Sequence, residues 1–329
     1  MLSSEEKIFI ALASGEFLLG ILLNGFIVLV NCIDWVKSKK LPPCDVILLS
    51  LAISRIGLLC TTVWDSYLIV TSINVPNQVR MIDILLALSH GSNIWFTTLL
   101  SIFYFLKITN FSNPFFLWMK WRIDRMVVML LMGPLIIYFS ITFPMMEKTY
   151  HYYGSLFNRG KERNVSQEVQ ESKNIFLMFQ ILFGLLNLIP FILSTISFSL
   201  FAFSLWRHTR QMQLNATGPR DPSTEAHARA MKAVFSFLIL FLLYYMSFLV
   251  SYWGNSKDNN KLTSMLGRSI MLLYPFGHSM VLILWNSKLR KAALRVSWLM
   301  RGCQRECHLQ ALWVPLRIIW HFLGRKKSH

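Results

Sequence analysis

Long apolar runs separated by short polar segments make up most of the chain. Each run is about 20 residues or longer and carries few charges, which is the length that an α-helix needs to cross the hydrocarbon core of a bilayer. The pattern predicts an all-α membrane protein, with a seven-transmembrane-helix bundle over residues 1–286 and a cytoplasmic tail over 287–329. The predicted spans are about 8–31, 46–72, 82–109, 126–146, 175–205, 230–253 and 262–285.

The segment 103–122 indicates how one of these spans ends. Its apolar run reaches Lys107 and is interrupted at Asn113 and Pro114, and the aromatic and basic sequence FFLWMKWR follows. Proline lacks a backbone N–H and restricts the residue before it, so the third helix is predicted to end near Asn113. Trp and Phe mixed with Lys and Arg are typical of a segment that leaves the hydrocarbon on the cytoplasmic side.

Composition and charge favour a membrane protein over a soluble one. Of the 329 residues, 54% are hydrophobic and 15% are charged, whereas about a quarter of a soluble chain is charged. The net charge is +17, and the connections predicted to face the cytoplasm, together with the tail, hold 22 Lys and Arg against ten on the other side. This asymmetry follows the positive-inside rule with the N-terminus outside. It accounts for the basic charge without a nucleic-acid partner.

A short amphipathic helix is predicted after the last span, over residues 287–300. Apolar residues recur there at helical spacing and basic residues fill the other face, so this helix should lie on the cytoplasmic membrane surface. Cys303 and Cys307 follow, either as acylation sites or as free thiols. The apolar stretch 309–323 contains Pro315 and is short for a span, so it is predicted to be interfacial.

The connection 147–174 is the largest segment predicted to lie outside the cell. It contains the triplet Asn164-Val165-Ser166, which is an acceptor sequence for N-glycosylation, so we expect Asn164 to carry a glycan. None of the five cysteines falls in a predicted outside connection, and we therefore expect no extracellular disulfide.

The sequence contains no pattern that indicates an enzyme. Its histidines and cysteines have no metal-ligand spacing, since the nearest candidate, Cys303 with Cys307 and His308, lacks a second pair. No glycine-rich phosphate loop follows a strand, and the Gly-x-Ser-x-Gly motif of hydrolases is absent. We therefore expect no catalytic activity, no cofactor and no bound metal.

Polar residues inside the spans are consequently the informative ones, because burying them is costly unless they pair or serve a pathway. Asn24 lies in the middle of the first span and Arg55 in the middle of the second. A lone arginine in hydrocarbon costs about 2.5–3.5 kcal/mol on insertion scales. Arg55 should therefore face the bundle interior and bind Asn24 and backbone carbonyls. Two roles stay open: a hydrogen-bonded group that fixes helix packing, or a switch between two packings.

A second polar cluster is predicted toward the outer ends of the helices. Helical spacing places Asp83, Leu86, Ala87, His90 and Asn93 on one face of the third helix. Polar groups that converge in an apolar cleft between helices are the general form of a small-molecule site. The alternative for His90 is a core residue whose hydrogen bonds are satisfied. Further members of this polar cluster are Trp64, Asp65, Ser89, Asn187 and Arg268.

Several sequence runs, in this order and at these spacings, are distinctive. They are EFLLGILLNGFI at 16–27, CIDW at 32–35, LSLAISR at 49–55, LSIFYFLKITNFS at 100–112, FLWMKWRI at 116–123, RHTRQMQLNATGPRDPSTEAHARAMKAVFSF at 207–237 and YPFGHSMVLILWNSKL at 274–289. In these runs the chain resembles, nearly end to end, the type 2 (bitter) taste receptors, a divergent group of G-protein-coupled receptors. The Asp-Arg-Tyr and Asn-Pro-x-x-Tyr signatures of rhodopsin-like receptors are absent, as in that group.

The resemblance implies a plasma-membrane sensor of small bitter molecules that activates a gustducin-like heterotrimeric G protein. Ligands would lie among the outer halves of helices 3, 5, 6 and 7. Tyr244 would be the switch residue of helix 6, or else a packed aromatic whose hydroxyl group reaches a neighbour. The positions that match the contact points of the family are Asp83, Leu86, Ala87, His90, Tyr244, Phe248 and Arg268.

Three of these positions depart from the family pattern. Many relatives carry Trp where Leu86 stands and Asn where His90 stands, and the place of Arg268 is often acidic or neutral. Coulomb attraction by Arg268 in a partly dehydrated cleft would favour an anionic agonist. Asp83 could instead neutralise Arg268 and leave the mouth of the cleft without net charge.

The mechanism that the resemblance implies is a population shift, in which an agonist favours the helix packing that opens a cytoplasmic groove for the G protein. The competing class is a seven-helix transporter or channel. Such a protein would need a continuous polar lane or broken helices in two repeated halves, and neither is visible. Exposed basic residues more often bind anionic lipid, and those predicted to face the G protein are Lys120, Arg122, His208, Arg210, His227, Arg229 and Lys232.

Overall fold

The computed structural model describes residues 3–71, 76–109, 113–158, 166–215, 222–257 and 261–298, and nearly all of these residues are α-helical. Each predicted span falls on one long helix, which confirms the predicted class of all-α membrane bundle. The helices are α1 (Ser4–Ser38), α2 (Pro43–Thr71), α3 (Pro76–Ile108), α4 (Pro114–Asn158), α5 (Ser166–Asn215), α6 (Pro222–Lys257) and α7 (Lys261–Trp285).

Capping side chains set the ends of two of these helices. Ser3 begins α1 with a capping box, in which the Glu6 N–H donates to Ser3 Oγ and the Ser3 N–H donates to the Glu6 carboxylate. Asn113 begins α4, because its Oδ1 accepts a hydrogen bond from the Phe115 N–H at 2.9 Å. The third helix ends at Ile108, close to the predicted end. The aromatic and basic segment therefore forms the first turns of α4.

Most of the described helices have the composition of membrane spans. Six segments among the described residues are long and apolar enough to cross a bilayer: Ser4–Ser38, Pro43–Leu68, Pro114–Pro144, Ile181–Arg207, Lys232–Val250 and Met265–Trp285. Helix α3 is long enough but less apolar than these, because His90, Asn93 and Thr97 interrupt its apolar sequence. All three side chains are buried. The predicted third span is thus a helix with a polar interior face, and it packs against α2, α4 and α5.

The outer surface of the bundle is apolar where it would meet lipid. Leu22 of α1, Val128 of α4 and Met178 of α5 each expose more than 60% of their area. A water-soluble protein rarely leaves contiguous apolar surface of this extent exposed, so the surface indicates contact with lipid. The polar residues Asn24, Arg55 and Asn93 lie inside the bundle and have no exposed area.

Gly91 sets the distance between α3 and α4. A Cβ atom built at this position would lie 2.3 Å from the ring of Tyr138, which is a fully buried side chain of α4. Only glycine therefore lets the Tyr138 ring pack against the backbone of α3 at this point. The close packing brings Tyr138 beside the residues of α3 that the sequence singled out.

The chain divides into two compact units, Met1–Val281 and Leu282–His329, and the division falls in the last turn of α7. The second unit contains a short helix, α8, over residues 287–298. Asn286 caps α8, because its Oδ1 accepts hydrogen bonds from the N–H groups of Lys288 and Leu289 at 3.0 and 3.2 Å.

Over its described residues, α8 agrees with the helix predicted at 287–300. Its position on the membrane surface and the domain boundary after residue 286 stay predictions. Cys303, Cys307 and the segment 309–323 lie outside the described residues.

Candidate functional site

Arg55 is fully buried in the middle of α2, and its guanidinium group binds three neutral oxygen atoms. Nε donates to Asn93 Oδ1 of α3 at 3.3 Å, Nη1 donates to Ser279 Oγ of α7 at 3.1 Å, and Nη2 donates to the hydroxyl of Tyr274 of α7 at 3.5 Å. No carboxylate among the described residues forms an ion pair with Arg55. One side chain therefore joins three helices through dipoles that stabilise its buried charge.

Asn24 of α1 is linked to Arg55 through Ser279. Ser279 Oγ donates to Asn24 Oδ1 at 2.7 Å, and Asn24 Nδ2 donates to the Gly20 carbonyl at 2.8 Å. The predicted direct bond between Arg55 and Asn24 is wrong, because the Ser279 hydroxyl lies between the two side chains. We call the following residues, all buried and hydrogen-bonded to one another, the Arg55 network: Asn24, Arg55, Asn93, Thr97, Tyr274 and Ser279.

His90 lies on α3 about one helical turn from Asn93, toward the predicted outer end. Its Nδ1 is 2.6 Å from the hydroxyl oxygen of Tyr244 on α6, and its ring stacks on Phe248 with 3.9 Å between centroids. The other ring nitrogen, Nε2, is buried and has no hydrogen-bond partner among the described residues. Buried polar atoms are normally paired. This nitrogen is therefore the atom that a ligand could satisfy if the surrounding rings separate.

Leu86 and Ala87 contact the two sides of this aromatic group. Leu86 packs against the group of buried residues that contains Tyr244, and Ala87 packs against the group that contains Phe248. The structure thus brings together five of the residues that the sequence placed in the ligand site. We call the rings around His90 the His90 cluster, which consists of His90, Tyr138, Phe183, Tyr244 and Phe248.

Tyr138 and Phe183 were not predicted as members of the site. Tyr138 donates from its hydroxyl to Asn187 Oδ1 of α5 at 2.8 Å, and Phe183 meets the Tyr138 ring edge-on at 5.9 Å. Asn187 was assigned to the polar cluster, and a buried amide needs a partner. The need of the Asn187 amide for a partner is the only signal in the sequence that could have led to Tyr138. A tyrosine buried in an apolar helix can donate its hydroxyl hydrogen to such an amide.

Tyr274 connects the His90 cluster to the Arg55 network. The rings of Tyr244 and Tyr274 stack with 4.5 Å between centroids, and the Tyr274 hydroxyl accepts the hydrogen bond from Arg55. Asn93, which the sequence assigned to the outer cluster, binds Arg55 directly. The two polar clusters that were predicted as separate are therefore one continuous set of contacts. It runs from His90 through Tyr244 and Tyr274 to Arg55.

Arg268 of α7 forms an ion pair with Asp65 of α2. Arg268 Nε lies 2.7 Å from Asp65 Oδ2, and the two side chains are 9% and 16% exposed. The pair lies ten residues beyond Arg55 along α2, which is about 15 Å of helix. The sequence offered Asp83 as the neutralising carboxylate, and the side chain of Asp83 lies outside the described part. Because Asp65 balances its charge, Arg268 does not present a free cation to a ligand.

Two other members of the predicted polar cluster have different surroundings. Trp64 is 55% exposed on the outer surface of α2, so its assignment to an interior cluster is wrong. The residue after it, Asp65, points inward because successive helical positions differ by about 100° in direction. Ser89 is half-buried and lies close to Gly57 of α2. No group of three His, Cys, Asp or Glu residues within the described ranges could hold a metal ion.

Comparisons with known proteins decide the family. The family model of taste receptor proteins (TAS2R) matches residues 1–301. The chain is 45% identical to taste receptor type 2 member 7 of Macaca mulatta, over 91% of this chain and 96% of that protein. It is 44% identical to taste receptor type 2 member 9 of Papio hamadryas, over 93% of this chain and 98% of that protein. The chain belongs to the taste receptor protein (TAS2R) family.

Membership in the TAS2R family confirms the resemblance that the sequence runs indicated. The helical bundle and the relatives together assign the chain to the bitter-taste G-protein-coupled receptors, which are multi-pass membrane proteins. Taste receptors are not enzymes, so the relatives also argue against a catalytic role. They favour a receptor over the transporter or channel that we weighed.

In this TAS2R chain, only some residues predicted to face the G protein have described side chains. Lys120 is half-buried, and its Nζ donates to the Thr109 carbonyl at 3.0 Å, so it joins the start of α4 to the end of α3. Arg122, Arg210 and Lys232 are exposed. The side chains that lie outside the described part are those of His208, His227 and Arg229.

Proposed function

We propose that this chain is a plasma-membrane receptor that binds small bitter molecules in the outer half of its helix bundle and activates a gustducin-like heterotrimeric G protein. Its N-terminus faces outward and its tail faces the cytoplasm, in keeping with the positive-inside distribution of Lys and Arg. The bundle over residues 1–286 carries the binding site, and the tail over 287–329 lies on the inner membrane surface. Asn164, outside the described residues, carries a glycan.

The ligand site is centred on the His90 cluster. His90 Nε2 is buried without a hydrogen-bond partner among the described residues, and three aromatic rings of two other helices, α5 and α6, contact the imidazole ring. A small apolar molecule with one polar group suits such a site, because it buries its surface against the rings and satisfies the free nitrogen. Asn93, Leu86 and Ala87 lie on the same side of α3, and helical spacing predicts that Asp83 continues this side toward the outer end.

The described rings leave His90 only 1% exposed, so ligand entry requires that they separate. Phe248 of α6 stacks directly on His90, and its displacement would move α6 relative to α3. A ligand that binds the separated arrangement better than the closed one shifts the population toward it. A ligand that binds at His90 would therefore shift the population from the closed to the separated arrangement of these rings.

The contact chain from His90 to Arg55 carries this change toward the cytoplasmic half. Tyr244 bonds to His90 and stacks on Tyr274, which binds Arg55. A movement of Tyr244 therefore disturbs the packing of α7 and of α2. This chain is the single observation that supports the proposal most strongly, because it gives one element, Tyr244, that both the ligand and the Arg55 network can bias.

Calcium responses of cells that express the receptor with a promiscuous G protein test the proposal. A panel of bitter compounds is screened on the native chain and on His90→Phe, which keeps a ring against Phe248 but removes both ring nitrogens. We expect compounds that activate the native receptor to require at least about ten-fold higher concentration in the variant, the loss of one hydrogen bond in a dry site.

Trp64→Phe is the matched control, because Trp64 lies on the outer surface of α2 and should not contact the ligand. Surface labelling shows that each variant reaches the plasma membrane. Equal potency in the native chain and His90→Phe for every active compound contradicts the placement of the site. A receptor that reaches the surface and responds to no bitter compound contradicts the function itself.

A further inference from the structure

One face of α4 is exposed and points away from the bundle. It carries aromatic and basic side chains near the start of the helix, and a stripe of apolar side chains follows them. Trp118 and Trp121 expose 49% and 79% of their area, and Arg122 and Arg125 are exposed beside them. The stripe continues through exposed apolar residues at spacings of three and four, on one face of the helix. These residues are Val128, Met129, Met132, Ile136, Phe139 and Phe143.

Each of the two guanidinium groups lies over an indole ring. The Arg122 guanidinium carbon is 5.2 Å from the centre of the Trp118 ring, and that of Arg125 is 5.8 Å from the centre of the Trp121 ring. Stacking on the ring orients the guanidinium group and leaves its N–H edges free, since these point away from the ring face. The two arginines are thus held in place before anything binds to them.

Neither arginine forms an ion pair within the part of the chain that the structure describes. The neighbouring carboxylate, Asp124, is bound by Lys107 of α3 at 2.6 Å. Both arginines are exposed on α4, so their N–H groups are available to an anion outside the bundle.

The depth of these residues in the membrane identifies the anion. The predicted span on α4 begins at residue 126, so Arg125 lies at the boundary of the hydrocarbon and Arg122 lies about 5 Å further out. Lipid phosphate groups occupy this level, and Trp is enriched there. A phosphodiester offers two oxygen atoms to each guanidinium group in a geometry that suits bidentate hydrogen bonds.

We propose that Trp118, Trp121, Arg122 and Arg125 form a binding site for the headgroup of an anionic phospholipid in the cytoplasmic leaflet. The phosphate group of the lipid accepts hydrogen bonds from both arginines, and the acyl chains of the lipid follow the apolar stripe of α4. The indole rings lie between the phosphate group and the acyl chains. In this proposal Arg122 binds lipid, which is the alternative to the predicted G-protein surface. The assignment to the cytoplasmic leaflet rests on the proposed orientation of the chain. The lipid site itself does not depend on where the bitter molecule binds.

Native mass spectrometry of the purified full-length receptor tests this site, with phosphatidylserine titrated as the probe and phosphatidylcholine titrated in parallel. The variant Arg122→Gln with Arg125→Gln removes both charges. Each basic residue near an anionic lipid surface contributes about a five-fold factor in affinity. We therefore expect this variant to bind phosphatidylserine about 25-fold more weakly and phosphatidylcholine unchanged. Arg122→Lys with Arg125→Lys keeps the charges but not the stacked bidentate geometry, and should lose only part of the affinity.

The control variant is Lys37→Gln with Lys40→Gln, which removes two exposed charges at the same predicted side of the membrane. We expect its affinity for phosphatidylserine to change less than about three-fold, since its lysines lie outside the stripe. An equal loss in the control and in the arginine variant would show general charge attraction and overturn the proposal. The proposal would also be overturned if the arginine variant kept its affinity for phosphatidylserine but no longer activated the G protein. That result would show that Arg122 and Arg125 contact the G protein.

Discussion

The hydroxyl oxygen of Tyr244 lies 2.6 Å from Nδ1 of His90, and this hydrogen bond joins α6 to α3 inside the bundle. Both side chains are buried, so water cannot replace either partner. On its other side, Tyr244 stacks on Tyr274, which holds the Arg55 guanidinium group. Tyr244 thus touches both the proposed ligand site and the Arg55 network.

Replacing Tyr244 by Phe should weaken the response to agonists while the receptor still folds. The ring keeps its stack on Tyr274, but Nδ1 of His90 loses its partner and the orientation of His90 is no longer fixed. We expect the half-maximal agonist concentration in a calcium assay to rise about ten-fold, equivalent to about 1.4 kcal/mol. Tyr245→Phe is the control, because Tyr245 is also buried on α6 and contacts Phe248, but the hydroxyl that binds His90 Nδ1 is that of Tyr244. Equal shifts in the two variants would contradict the role of the hydrogen bond.

The ion pair between Asp65 and Arg268 should suppress any preference for anionic agonists. In the native receptor, a carboxylate agonist and its methyl ester should differ little in potency, because Asp65 balances the charge of Arg268. Asp65→Asn frees that charge, and the carboxylate should then gain at least about ten-fold over the ester, the effect of one charge-assisted hydrogen bond. A strong carboxylate preference in the native chain that Arg268→Gln abolishes would show instead that Arg268 binds the ligand.

Replacing Arg55 by Lys should destabilise the bundle even though the charge is kept. The ammonium group is a single point with donors on one atom, so it cannot reach Asn93, Tyr274 and Ser279 together. Losing one hydrogen bond to a charged group costs about 1.5–3 kcal/mol of unfolding free energy. The measurement is the thermal unfolding midpoint of the purified receptor. Arg290→Lys, at an exposed position of α8, serves as the control. Equal midpoints for the native chain and Arg55→Lys would contradict this account of the network.

Adding one methyl group at Gly91 should separate α3 from α4. In Gly91→Ala the new carbon would lie 2.3 Å from the Tyr138 ring, so the ring or the helix must move. We expect a loss of about 1–3 kcal/mol of unfolding free energy, the usual cost of overpacking. Gly133→Ala on α4 is the matched control, because no atom lies within 4 Å of the added carbon. Unchanged stability in Gly91→Ala, or an equal loss in Gly133→Ala, would argue against this close contact.

The helices could be predicted from the sequence because each one coincides with a long apolar run, and the runs alone determine where a helix can cross a membrane. The face of α3 could also be predicted, since helical spacing fixes which residues share a side. Leu86, Ala87 and His90 do meet Tyr244 and Phe248. The polar residues on the inner face of α3 made that face recognisable, and they also make α3 less apolar than the other spans.

The partners across helices could not be predicted in this way. Two carboxylates, Asp65 and Asp83, lie near the predicted outer end, and nothing in the sequence fixes the rotation of α7 that selects Asp65 for Arg268. Arg55 was expected to bind Asn24, because both are polar and lie at mid-span. The hydroxyl of Ser279 separates them, and a serine within an apolar helix gives no signal of its own, since it can bond to its own backbone.

The most direct test of the central claim is nucleotide exchange on a purified gustducin heterotrimer by the purified receptor in lipid discs. An agonist found in the cell screen should accelerate GTP binding by the native receptor, and His90→Phe should need about ten-fold more of that agonist for the same rate. An agonist that binds the native receptor but leaves the exchange rate unchanged would contradict the claim. The same holds if His90→Phe and the native receptor respond identically at every concentration.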